Sequence, residues 1–245
     1  MSRKTQRNPA TTQPAKPPAA TQAGASSSND RRNLFIVAAM VLLGFFIAAT
    51  MVYRSQKART TQASLAQNQP ALASAHSPQF GDPGAKVHVV EFFDPACETC
   101  ATFFPHVKKL LEAEPDRIRL STRHVPFHKG SDAVVRILEA ARAQGKYLPA
   151  LEALYASQAQ WVINHEVRPD LPWNTLGRVG LDLDRLRADM NSPEIAQRMA
   201  KDMADAQALG VTKTPEFFVN GRPMPRFGLE ELQALVKSEL RRAYP

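Results

Sequence analysis

The chain has two cysteines, Cys97 and Cys100, with Glu98 and Thr99 between them. Two thiols at this spacing can close one disulfide and reopen it, or supply half of a zinc site or a soft copper site. They are too close in sequence to staple a fold. The six His are scattered, His124 and His128 being the pair at i, i+4, and no Met/His cluster flanks the cysteines. A full metal-ligand set is therefore not indicated, no cofactor is called for, and the pair reads as redox chemistry. Residues 87–93 (VHVVEFF) read as a buried strand that Asp94-Pro95 breaks. Phe103, Phe104, Val107, Leu110 and Leu111 then recur with helical spacing, so a helix is predicted from about Cys97 to Glu114. Cys97 would sit at its N-terminus, where unpaired N–H groups and the helix dipole stabilise a thiolate, the nucleophilic form. Cys100, one turn in and less exposed, would resolve the mixed disulfide that Cys97 forms. Glu98 opposes the thiolate and should raise its pKa, but the helix effect should win.

Residues 1–30, rich in Thr, Gln, Pro, Ala and Ser, cannot bury a core, and a disordered cytoplasmic tail is expected over 1–33. Residues 34–52 carry no charge, and with Tyr53 they form a predicted transmembrane anchor over 34–53. The rival is a cleaved signal peptide, whose apolar run is shorter and leads at once to a small-residue site; here Ala73-Ser74-Ala75 comes some twenty residues later. Six bases precede the span and three follow it, which places the N-terminus in the cytoplasm and the rest in the periplasm or its equivalent. The expected location is thus the cytoplasmic membrane, single-pass. Residues 54–79 read as a flexible tether and 80–245 as the folded domain.

The net charge of +8 could indicate nucleic acid. Its distribution excludes that: of 31 Lys/Arg and 23 Asp/Glu, nine bases and one acid lie in residues 1–79, so 80–245 are balanced at 22 each. In the domain, a second strand is expected over 118–125 and a helical block over 128–210. Ser131 is expected to cap one helix of that block, and Ser192 with Pro193 another. A strand at 216–219, a turn at Asn220-Gly221 and a last helix from Leu229 to about Arg242 follow.

With these elements in place, the sequence resembles the thioredoxin superfamily. Glu91 lies six residues before Cys97, where that family keeps a buried carboxylate that shuttles protons near the resolving thiol. Pro105 follows Cys100 by five, where many members kink the active-site helix. Thr214-Pro215 precedes the strand 216–219, where the family has a cis-proline loop facing the cysteines. The long helical stretch 128–210 is similar to the DsbA-like branch, including its membrane-tethered members. The resemblance implies an α/β thioredoxin fold with a helical insertion after one transmembrane helix. It also implies a thiol:disulfide oxidoreductase acting on unfolded or cysteine-containing client proteins and recycled by a membrane redox partner. Cys97, Cys100, Pro215 and Glu91 would carry catalysis, and Thr214, Glu98 and Thr99 would contact the client. The best-known oxidant of the branch has Pro-His between its cysteines, so Glu98-Thr99 weakens the case for a strong oxidase. A reductase or isomerase, or a copper-handling thiol protein, stays open. So do plainer readings: Glu91 paired with Lys86 or Lys109, a trans Pro215, structural roles for Trp161 and Trp173, and surface or core roles for His106, His124 and His128.

Overall fold

A computed structural model describes residues 28–73 and 75–245. Most of the tail expected over 1–33 lies outside the described residues; from Ser28 onward the chain is already in helix α1 (Ser28–Leu72). Two units are distinguished, Met1–Ala58 and Arg59–Pro245. In the first, Asn33–Gln56 forms a stretch of 24 residues with mean hydropathy 2.6, long and apolar enough to cross a membrane. Its Leu34, Phe35, Phe45 and Phe46 side chains are exposed. The flexible tether expected over 54–79 is helical as far as Leu72. The reason is local: Ala, Gln, Arg and Leu are good helix formers, no glycine interrupts residues 54–72, and Pro70 falls only in the last turn.

The second unit is built on a sheet. β1 (Gln79–Gly81) is an edge strand that the sequence reading missed, being three residues long. Gly81 adopts φ +86, and a side chain there would run into the Ile118 carbonyl oxygen. β2 (Val87–Phe93), α2 (Glu98–Ala113) and β3 (Ile118–His124) form a parallel crossover unit, Val87 pairing with Ile118 and Phe93 with His124. The insertion then runs through α3 (Ser131–Ala143), α4 (Tyr147–Ala156) and α5 (Gln158–Trp161). It is not wholly helical: β4 (Val162–Ile163) and β5 (Glu166–Val167) form a hairpin across Asn164 and His165, both at positive φ as a tight hairpin turn requires. α6 (Pro172–Leu176), α7 (Leu183–Asp189) and α8 (Pro193–Ala208) complete it, with Ser192 capping α8 as expected. β6 (Glu216–Val219), β7 (Arg222–Pro223) and α9 (Leu229–Ala243) close the fold, giving strand order β1-β3-β2-β6-β7.

Period-two alternation in β2 sorts its side chains between two layers. Val87 and Val89 pack with Phe103 and Val107 of α2 and Leu232 and Val236 of α9. Val90 and Phe92 pack on the opposite face with Ala206 of α8, Phe218 and Leu72. Further along the first face, Phe93 and both cysteines join the core of the insertion, where Trp161, Leu176 and Leu186 are fully buried. Trp161 donates its ring N–H to the Leu154 carbonyl at 3.0 Å, in keeping with a structural role. Behind the sheet, Arg123 is fully buried, bound to Asp202 and Asp205 of α8 and to the Ala71 carbonyl at 2.9 Å.

Candidate active site

Cys97 occupies the N-cap of α2 with φ −78 and ψ 118. In that conformation its sulfur accepts a hydrogen bond from the Cys100 backbone N–H at 3.4 Å. One of the donors that a helix leaves unpaired at its start is thereby satisfied. Across the cleft the Thr214 carbonyl oxygen is 3.5 Å from the Cys97 sulfur, and the Thr214–Pro215 peptide is cis. The fold thus brings together two segments that are 117 residues apart. Both cysteines are free thiols, Cys97 6% exposed and Cys100 completely buried.

The two sulfurs sit in opposite electrostatic environments. The Cys97 thiol is lowered from the usual 9.0 to about 5, chiefly by the hydrogen bond from the Cys100 side chain. Burial works against this, and the Thr214 side chain and the N–H groups of Cys100 and Thr99 assist it. Cys100 is held well above the ordinary thiol range, first by burial and then by the hydrogen bond and charge of Cys97. Glu98 and Thr99 are exposed at the start of α2, where solvent screens the Glu98 charge.

Glu91 lies in the middle of β2, opposite Thr122 of β3 and Phe217 of β6, and is 4% exposed. Its carboxyl is pushed up to about 8, by burial first and by the neighbouring Cys97 charge second. Phe93, Phe104, Val107, Leu151 and Tyr155 line an apolar cavity of about 50 Å³ that Glu91 borders, which explains the desolvation. Lys86, offered by the sequence as a partner for Glu91, lies over the Tyr244 ring at 4.9 Å instead. Pro105 sits inside α2.

Several residues around the cysteines escaped the sequence reading. Asp94, read there only as a strand breaker, is fully buried and organises the loop before Cys97. One carboxylate oxygen accepts from the Ala96 N–H at 2.8 Å and from the Ser131 hydroxyl. The other accepts from the His128 backbone N–H at 2.8 Å and lies 2.7 Å from its ring Nδ1. Ser131 is therefore not the N-cap expected of it; Gly130 holds that position at φ 80, and the hydroxyl is committed to Asp94. His128, by sequence a surface or core histidine, is placed at the site by its acidic partner Asp94. Gln158, from α5, donates to the carbonyls of Pro95 and Cys97. Phe227, 45% exposed, lies 5.1 Å from Phe103, with Lys213 over its ring at 5.5 Å. An acid directly before Pro-x-Cys was the one available signal; Gln158 and Phe227 had none.

The arrangement offers an ionisable outer thiol, a protonated inner thiol, a buried acid and a backbone carbonyl facing the outer sulfur. An ionisable outer thiol with a second thiol behind it is what exchange of disulfides requires. The family model described as thioredoxin matches residues 73–238. A thioredoxin-like oxidoreductase from Silicibacter pomeroyi DSS-3 is 33% identical, with a TM-score of 0.62 over 71% of this chain and 97% of its own. α-DsbA1 of Wolbachia pipientis shares the fold at 20% identity, with a TM-score of 0.63 over 72% of this chain and 97% of its own. Among curated proteins, the Na(+)/H(+) antiporter NhaA of Herminiimonas arsenicoxydans is 32% identical over 142 residues, 58% of this chain and 22% of that protein. The chain spans about a fifth of the length of the curated relatives it matches.

Proposed function

The chain belongs to the thioredoxin family, in its DsbA-like form, and is a thiol:disulfide oxidoreductase; from that premise we propose that it exchanges disulfides with client proteins outside the cytoplasm, Cys97 being the attacking thiol. When the pair is oxidised, a client thiolate attacks the Cys97 sulfur, and the Cys97–Cys100 bond breaks with its electron pair going to Cys100. Cys100 takes up a proton, and Glu91 is the buried acid that supplies it. A second client thiolate then attacks the client sulfur of the mixed disulfide. Cys97 leaves as a stabilised thiolate, and the client gains one disulfide while the protein gains two electrons. The reverse sequence reduces a client, with Glu91 taking the proton from Cys100 as it attacks.

The observation that carries this reading is the placement of the Cys97 sulfur at the N-cap of α2, within reach of the Cys100 N–H and the Thr214 carbonyl. A client segment lying along the Thr214–Pro215 loop would pair with that backbone and present its cysteine to Cys97. The low Cys97 value favours the dithiol form, and hence oxidation of clients. It lies between the roughly 7 of thioredoxin and the roughly 3.5 of the strongest oxidant. Sustained oxidation needs a redox partner in the membrane to withdraw the electrons. The stretch Asn33–Gln56 supports anchoring at a membrane, and the six bases before the apolar run against three after it support an N-terminus inside.

Cys100→Ala should accumulate mixed disulfides with client proteins, because the resolving thiol is missing, whereas Cys97→Ala should not. Trapping by both variants, or by neither, would overturn the assignment. Protease added to spheroplasts should digest the domain while Asn33–Gln56 stays with the membrane; full protection would refute the topology.

A further inference from the structure

Gln158 opens α5 in the insertion, 61 residues beyond Cys97, and is 7% exposed. Its side-chain nitrogen lies 2.9 Å from the Pro95 carbonyl oxygen and 3.2 Å from that of Cys97. Both amide hydrogens are therefore committed to the short loop that carries the outer sulfur. The Cys97 carbonyl also accepts from the Ala101 N–H at 3.1 Å, the first bond of α2. A carbonyl with two lone pairs can hold both donors, so Gln158 extends the helix start rather than competing with it. At the other end of the loop, Asp94 binds Ser131 and His128, which also lie in the insertion. The insertion thus grips residues 94–97 at both ends.

We propose that Gln158 is a positioning residue for the exchange reaction: by fixing the Pro95 and Cys97 carbonyls it holds Cys97 in the N-cap conformation and favours the dithiol form over the disulfide form. The preference follows from what the Cys97 sulfur is in each state, neutral in the disulfide and ionisable in the dithiol. In the disulfide form the covalent bond to Cys100 already ties Cys97 to α2. In the dithiol form the sulfur carries thiolate charge and accepts from the Cys100 N–H at 3.4 Å, a bond that a neutral disulfide sulfur makes only weakly, so a contact that keeps the sulfur over that N–H stabilises the dithiol form more. The buried Gln158 amide is thereby the route by which the insertion tunes the redox pair. This inference rests on Cys97 being the attacking thiolate.

The test uses the full chain in detergent. Gln158→Met keeps the length of the side chain and removes its donors. Equilibrated with glutathione, it should shift about tenfold toward the disulfide form, a potential about 30 mV more negative. Thiolate absorbance against pH should show Cys97 ionising at higher pH than in the unaltered chain. Gln158→Asn keeps an amide too short to span both carbonyls and carries the same expectation if Gln158→Met does not fold. Leu186→Ala, a core truncation elsewhere in the insertion, should lower stability and leave the glutathione equilibrium within twofold. Gln158 variants within twofold of the unaltered chain would overturn the proposal, as would an equal shift from Leu186→Ala. If the unaltered chain itself shows no thiolate at Cys97, the exchange reading fails first; if it does and the variants match it, only the role of Gln158 fails.

Discussion

Replacing Glu91 with Gln is expected to stabilise the reduced protein and slow its chemistry together. In the folded state the Glu91 carboxyl keeps its proton up to about pH 8, whereas an ordinary carboxyl of this kind loses it near 4.5. Between those values the folded chain binds more protons than the unfolded one, so stability is full below about pH 4.5 and declines as pH rises through 8. At about 1.4 kcal/mol per pH unit, the penalty is about 3 kcal/mol at pH 7 and approaches about 5 kcal/mol above pH 8. Cys97 acts in the opposite sense. Its folded value near 5, below the usual 9.0, adds stability as pH rises from 5 toward 9. The two effects offset each other in the reduced protein, which should show little net pH dependence from this pair. Glu91→Gln removes one of them. In urea denaturation under reducing conditions the variant should match the unaltered protein near pH 4.5 and exceed it by about 3 kcal/mol at pH 7. The gap should shrink in the disulfide form, where the Cys97 charge, the second cause of the raised Glu91 value, is gone. Resolution of the mixed disulfide should slow by about a hundredfold, as loss of a positioned acid–base group does. A gap that does not vary between pH 4.5 and 9 would refute the buried-acid reasoning, whatever the rate.

Glu98→His should lower the Cys97 pKa and make the potential less negative; unchanged thiolate titration and glutathione equilibrium would show that this exposed side chain does not sense the sulfur. Arg123→Met leaves Asp202 and Asp205 buried without their shared guanidinium and should cost about 3–5 kcal/mol in urea denaturation; a loss below about 1 kcal/mol would contradict the network. Burial alone would raise Asp202, but hydrogen bonds from His124 and His76 and the Arg123 charge hold it well below 3.8, so this stabilisation should fall away as pH drops below that value. Gly81→Ala should cost about 1–2 kcal/mol, since it needs positive φ and meets the Ile118 carbonyl; an unaffected urea midpoint would refute this.

The features legible in the sequence are those written locally. β2, the break at Asp94-Pro95 and α2 follow from a short β-rich apolar run giving way, past Asp94-Pro95, to a period of 3.6, and that order alone places Cys97 at a helix start. The apolar run that predicted an anchor lies within Asn33–Gln56, because hydropathy is a property of a contiguous stretch. Thr214-Pro215 and Glu91 were marked by resemblance, and alternation along β2 turns Glu91 toward the same face as Phe93. Short elements were not legible: β1, β7 and the β4–β5 hairpin are too brief to show a period, and the run 54–72 was read by its polarity when its helix propensity decided the outcome. Least legible were the polar partners. Asp94 with Ser131 and His128, Arg123 with Asp202 and Asp205, and Gln158 with the Cys97 carbonyl join segments 34 to 82 residues apart. A polar side chain carries no sign of its partner in the sequence. Only burial, which makes an unpaired donor or acceptor costly, forces such groups together, and burial is set by how the insertion closes on the sheet.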